Sequence, residues 1–308
     1  MKRKSTVPSV VAALLSGAAL ALAGGVSPAT ATTQTIRAVG AENEYANVIA
    51  QIGGRYASVN AIESNPNTDP HSFEASPSVA KLVSTAQVIV QNGVGYDTFM
   101  NTIEAGSPNS SRKVIDVQQL LGLPDSTPNP HLWYKQATMP AVAKALVSDL
   151  SAIEPQHRAY FQANATKFDA SLQPWYAAVK AFAARYPHTP VATTEPVIDY
   201  MLQAAGTNIL TPFPLEADIM NGVDPAPQAI SLQESLFSKH LVKVLLYNQQ
   251  VTDSLTSSFL TEARRDRIPV IGVYETMPTG GYDYQSWMLA EISALQKAVA
   301  DKISTQKL

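Results

Sequence analysis

Five histidines occur in the 308 residues, and two of them stand in matched surroundings: His71 in DPHSFEASP and His131 in NPHLWY. In both, a proline fixes the approach of the chain and an aromatic follows two residues later, which presents a neutral imidazole on a loop. Imidazole nitrogen is a favoured donor for first-row divalent metals. Two acids carry a complementary signal. Glu195, in VATTEPVIDYM, closes a β-rich run, and Pro196 is placed to begin a helix. Glu275, in IPVIGVYETMP, ends an apolar run that reads as a buried strand, and a carboxylate at such a tip is costly unless something positive meets it. Each residue alone has an ordinary reading: a lone histidine as a surface or packed side chain, Glu195 as a helix N-terminal carboxylate. Together they form a set of two nitrogen and two oxygen donors, which first-row divalent metals accept. A cation would also relieve the repulsion between Glu195 and Glu275. Cysteine is absent, which excludes thiolate zinc sites and disulfides alike.

Such a set needs elements to hold it. Short β-rich runs at residues 36–39, 57–63, 87–91 and 113–117 alternate with helical stretches, and the pattern repeats at 190–194, 208–211, 242–247 and 269–274. This predicts an α/β protein of two similar α/β domains with the metal site in the cleft between them. His71 follows the second strand, His131 lies beyond the fourth, and the two acids end strands of the second half. All four then fall at the carboxyl edge of a sheet, where open α/β folds bind ligands. AVGAENEYANVIAQIGG and VATTEPVIDYMLQAAGT echo each other as strand, acid and helix, in keeping with two related halves. Between the halves, Phe161, Ala165, Phe168, Leu172, Trp175, Val179 and Phe182 recur at helical spacing. About 30 residues at 1.5 Å each give a backbone helix of roughly 45 Å. Pro174 is expected to kink it near Ala170–Leu172, or to divide it into two shorter helices. The expected layout is a signal peptide at 1–31, domains at 32–155 and 188–308, and a linking helix at 156–187.

At the N-terminus, Lys2, Arg3 and Lys4 precede an apolar run ending near Val26 and the small-residue site Ala29-Thr30-Ala31. That is the layout of a cleavable secretory signal. Leu22-Ala23-Gly24-Gly25 resembles a lipoprotein processing box with glycine where the acylated cysteine would stand, so no lipid anchor is expected. The expected location is periplasmic or secreted. All 25 acidic residues lie beyond this segment while three of the 22 basic ones lie within it, which leaves the remainder with about six net negative charges and argues against nucleic acid as a partner.

DPHSFEASPS, AQVIV with NGVGYD, NPHLWY, the central helical run, TTE and finally GVYETMPTGGYDYQSWMLAEI follow one another in the order and spacing of a known family. Over residues 35–306 the chain resembles the cluster A-I, or zinc/manganese, solute-binding proteins of ABC transporters. The resemblance implies metal ligands at His71, His131, Glu195 and Glu275, manganese or zinc as cargo with iron possible, and a membrane permease as partner of a monomeric, non-enzymatic protein. Two departures stand out. Zinc-devoted members commonly place histidine where Glu195 stands and carry a His/Asp-rich loop that is lacking between Glu104 and Pro130. The fourth ligand is more usually Asp, which makes Asp283 a rival to Glu275. Asn92, Tyr96 and Asp97 are candidates for orienting the ligands. Trp133, Trp175 and Trp287 are expected in cores, and His157, His188 and His240 near solvent. An adhesin of the same fold is the alternative reading. A metallohydrolase is disfavoured, because four protein donors leave no open position on the metal and neither HExxH nor GxSxG occurs.

Overall fold

The computed structural model describes residues 35–308 except Thr279, so the expected signal segment and processing box lie outside the described residues. The first half runs β1 (Ile36–Glu42), α1 (Asn43–Gly53), β2 (Ala57–Glu63), α2 (Pro77–Thr85), β3 (Val88–Gln91), α3 (Thr98–Gly106), β4 (Lys113–Asp116), α4 (Val117–Leu120) and α5 (Thr138–Ile153). Two helices follow, α6 (Arg158–Ser171) and α7 (Gln173–Arg185). The second half continues with β5 (Pro190–Thr193), α8 (Asp199–Ala204), β6 (Asn208–Ile209), α9 (Phe213–Met220), α10 (Pro227–Ser238), β7 (Leu245–Asn248), α11 (Ser254–Arg265), β8 (Val270–Val273) and α12 (Tyr284–Asp301).

Every expected β-rich run overlaps a strand, and the strands form two parallel four-stranded sheets of the same order, β2-β1-β3-β4 and β6-β5-β7-β8. In each, the first strand of the half lies inside the second, so the chain reverses its winding direction between the first and third strands and opens a crevice at their carboxyl ends. The edges differ by a few residues: β1 runs on to Glu42 and β7 to Asn248, while β6 stops at Ile209, three residues before Pro212.

One apolar core is common to both halves. It runs from Ile36 and Val48 through Trp133, Phe168 and Trp175 to Trp287 and Leu295, with smaller clusters on the far face of each sheet. All three tryptophans are buried, as expected. Tyr284 ties the halves together: its ring packs against Phe168 and Trp175, and its hydroxyl donates to the Trp133 carbonyl at 2.6 Å.

The central helical run is two helices rather than one kinked rod, separated by the single residue Leu172. Pro174 falls in the first turn of α7, where its missing N–H leaves no bond unmade. The break lets α6 follow α1 and α5 while α7 follows α8 and α12, so each segment packs on a different half.

Gly40, in β1, is required by close approach rather than by its dihedrals. A Cβ there would lie 2.3 Å from the amide nitrogen of Ala46 and 2.8 Å from its Cα, both in the backbone of α1. Gly40→Ala should therefore destabilise the fold by about 1–3 kcal/mol. A lower urea midpoint at unchanged slope is the expected result; an unchanged midpoint would show that α1 shifts on β1 without cost.

Candidate metal centre

His71 sits in a single helical turn, Pro70–Ser72, just beyond β2. The Asp69 side chain accepts from the His71 backbone N–H at 2.8 Å and fixes the turn. The His71 side chain remains 24% exposed, whereas that of His131 is fully buried. Asn129 Oδ1 receives both the backbone N–H of His131 (2.9 Å) and its ring Nδ1 (2.8 Å). That bond assigns the ring proton to Nδ1 and leaves Nε2 as the donor toward a metal. Asn129 also donates to the carbonyl of Pro196 at 2.6 Å, which ties the His131 loop to the residue after Glu195.

The expected orienting residues take up such roles. Asp97 accepts from the backbone N–H groups of Asn92 (2.6 Å) and Gly93 (3.0 Å). Asn92 in turn donates to Pro130 O at 2.8 Å and accepts from Tyr45 at 2.7 Å, so the loop that carries His131 is held from below. Tyr96 reaches the site itself, donating to Glu275 Oε2 at 3.0 Å.

Glu275 follows β8 and is fully buried. Its Oε2 is the point of convergence: His131 Nε2 lies at 3.1 Å and His71 Nε2 at 3.2 Å, beside the Tyr96 hydroxyl. These two imidazoles and this carboxylate bring their donor atoms within 4.8 Å of one another. Glu195, also buried, is outside that tight group and connects to it through Asn248, whose Nδ2 donates to Glu195 Oε1 (3.0 Å) and Glu275 Oε1 (2.7 Å). Glu195 Oε2 has no hydrogen-bond partner among the described residues. Asp283, the rival to Glu275, is engaged elsewhere. Its Oδ1 accepts from Ser286 N at 2.9 Å in a capping box that starts α12.

The electrostatics follow from this packing. Burial alone would raise Glu275, but its contacts with the His131 and His71 rings outweigh it and hold the carboxyl well below the usual range. For His71, burial pulls the other way and the contact with Glu275 prevails, so its pKa is raised. For His131, complete burial wins and the pKa is lowered. Burial, then the nearby Glu275 charge, pushes Glu195 well above the carboxylate range.

Behind the site stands an acidic wall that sequence reasoning missed. Glu42 at the end of β1, Glu44 in the first turn of α1 and Glu63 at the end of β2 are buried, and none of their carboxylate oxygens has a hydrogen-bond partner among the described residues. Glu42 and Glu63 face each other in the β1–β2 register. Burial pushes Glu44 up to about 8 and Glu63 to about 9, and lifts Glu42 strongly. An acid at the end of a β-rich run, the signal that singled out Glu275, marks Glu42 and Glu63 as well. Asn129 and Asn248 were also missed; an asparagine beside a turn carries no comparable signal.

Two cavities flank the Asp69–Ser72 turn. One of about 350 Å³ is lined by His71, Asp69, Met220 and Val251, the other of about 300 Å³ by Glu63, Asp69, Glu74 and Thr276. His71 is therefore the candidate ligand open to solvent.

Comparison with known proteins places this geometry in context. The family described as zinc-uptake complex component A, periplasmic (ZnuA), matches residues 39–298. A putative metal-binding protein of Treponema pallidum is 23% identical over 261 residues, covering 77% of this chain and 80% of that protein. In fold, the solute-binding protein FpvC of Pseudomonas aeruginosa in complex with Mn2+ superposes with a TM-score of 0.70 at 19% identity, over 87% of this chain and all of that one. The laminin-binding adhesin Lmb of Streptococcus agalactiae gives 0.71 at 15% identity, over 86% and 99%.

Proposed function

We propose that this chain, which belongs to the ZnuA family of periplasmic metal-uptake components, captures a divalent transition metal outside the cytoplasm and delivers it to the permease of an ABC importer. The ligands are His71, His131, Glu195 and Glu275, two from each half, with residues 32–155 and 188–308 as the two lobes and 156–187 joining them. The observation that carries this reading is the meeting of two imidazole Nε2 atoms on one buried carboxylate oxygen, at 3.1 and 3.2 Å. Such a convergence is a position that suits a cation. A neighbouring carboxylate with one unpartnered oxygen, Glu195, supplies the fourth donor. Family members are binding subunits and not enzymes. Four protein donors agree with that, since a catalytic metal keeps a position open for water or substrate. Among the described residues no helix is long and apolar enough to cross a membrane.

The direct test is the metal content of protein purified under limiting metal, followed by competition titration with zinc and manganese. Tight binding of at least one ion is expected; a wild type that binds neither refutes the reading. Both ions should bind, zinc more tightly as the intrinsic order of affinities requires, with manganese the cargo where it is the more available. Glu195→His replaces a hard oxygen donor by nitrogen. It should raise the zinc-to-manganese affinity ratio by about an order of magnitude, mainly by weakening manganese. A constant ratio would remove Glu195 from the selectivity-setting set.

A further inference from the structure

We propose that Asn248 is a specificity-determining residue that limits each of the two carboxylates to a single oxygen for the metal. The proposal rests on the metal-capture reading above and extends it from which residues bind to how they bind.

Asn248 is the last residue of β7 and is fully buried. Its orientation is settled by its neighbours: Oδ1 accepts the backbone N–H of Gln250 at 3.0 Å, so Nδ2 must face the site. Its own backbone N–H donates to Thr194 Oγ1 at 3.0 Å, which locks the end of β7 to the residue before Glu195. Gln250 clamps the other side, where its Oε1 accepts from the backbone N–H groups of Glu275 (2.7 Å) and Thr276 (2.8 Å). The amide therefore has little freedom to turn away.

An amide nitrogen carries two N–H donors. Asn248 directs one to Glu195 Oε1 and the other to Glu275 Oε1, at 3.0 and 2.7 Å. Both Oε1 atoms are thereby engaged. What the amide leaves for a cation is one oxygen of each acid: Glu275 Oε2, on which the imidazoles converge beside the hydrogen bond it accepts from Tyr96, and Glu195 Oε2, which is unpartnered. One oxygen from each acid and one nitrogen from each histidine make four donors, the number that suits tetrahedral zinc. Harder ions such as manganese favour more oxygen donors, and a carboxylate can supply them by binding through both oxygens. Asn248 opposes that second mode at both acids at once. Two glutamates would otherwise make a site tolerant of higher coordination; the shared amide restrains it.

The test compares wild type with Asn248→Leu, which keeps the approximate bulk and removes both donors. Zinc–manganese competition titration gives the affinity ratio, and X-ray absorption at each metal edge gives the coordination number. In wild type, four-coordinate zinc with singly bound carboxylates is expected. In the variant, the manganese coordination number should rise and the zinc-to-manganese affinity ratio should fall by about tenfold or more. A role confined to holding the strand end would weaken both metals alike, so equal weakening or an unchanged ratio overturns the proposal. If the variant does not fold, wild-type absorption data decide: a carboxylate bound through both oxygens to zinc overturns it, and single binding at both acids supports it. A wild type that binds neither metal refutes instead the capture reading on which this one stands.

Discussion

Glu275→Gln should weaken metal binding by about a thousandfold or more, the equivalent of about 4 kcal/mol and within the range for removing one partner of a buried charge pair. The substitution keeps the size of the side chain and removes the charge on which His71, His131 and Tyr96 converge. The histidines should differ from each other in a way their sequence contexts do not disclose. His71→Ala should weaken binding severely with little change in stability, because the side chain is partly exposed and its turn is held by the Asp69 carboxylate and not by the ring. His131→Ala should weaken binding and also destabilise the metal-free fold by about 1–3 kcal/mol, since it removes one of the two hydrogen bonds to the buried Asn129 oxygen and empties a space beside Trp133. Calorimetric titration of each variant, beside thermal unfolding without metal, measures both effects. Affinity within tenfold of wild type for Glu275→Gln would remove that residue from the site.

The difference between the histidines shows where the sequence stops being informative. Periodicity and β-rich composition located all eight strands: buried ones such as VIVQ and VIGV read as short apolar runs, and the helical periods between the runs separated them. The Pro-His contexts and strand-end acids located the candidate donors for a similar reason: polar groups that finish apolar runs need partners. What the sequence left open depends on contacts distant along the chain. Pro174 is compatible with a kink or a break, and the choice fell to the break because α6 and α7 pack on different halves. Asn248 ends LLYN as any residue before a turn could, and its two carboxylate partners lie 53 and 27 positions away. The contest between Glu275 and Asp283 was in part decidable, since Asp283 followed three residues later by Ser286 and then an apolar run has the spacing of a helix cap.

Thermal stabilisation by metal should be slight near pH 5.5 and largest near pH 8, and two pH effects shape the melting curves from which it is read. The first concerns affinity. Without metal, His71 holds its proton to higher pH than an ordinary histidine, and Glu195 does so far above the carboxylate range. A metal must displace both protons, so near pH 6 the apparent Kd should rise up to about a hundredfold for each unit of acidification, with a shallower slope above the pKa of His71. The second concerns the metal-free fold. Burial raises Glu44 and Glu291 to about 8, and Glu63 and Glu216 to about 9. The folded chain therefore binds more protons than the unfolded chain from about pH 4.3, the ordinary glutamate value, up to those raised values. Metal-free stability must fall as pH rises through that window. His71 adds to the fall, since the stability gained from its raised pKa is complete below about 6.5 and is lost as pH climbs through the raised value. Metal bound only to the native state contributes RT ln(1 + [L]/Kd), about 2.7 kcal/mol at a hundredfold excess over Kd, and that excess grows with pH at fixed total zinc. Melting temperatures from pH 5 to 8.5 with and without zinc would show the two curves diverging. Titrations at pH 6 in buffers of different ionisation enthalpy should register the release of nearly two protons. A metal-induced shift of equal size at pH 5.5 and pH 8, or binding without proton release at pH 6, would mean that neither His71 nor Glu195 exchanges a proton for the metal.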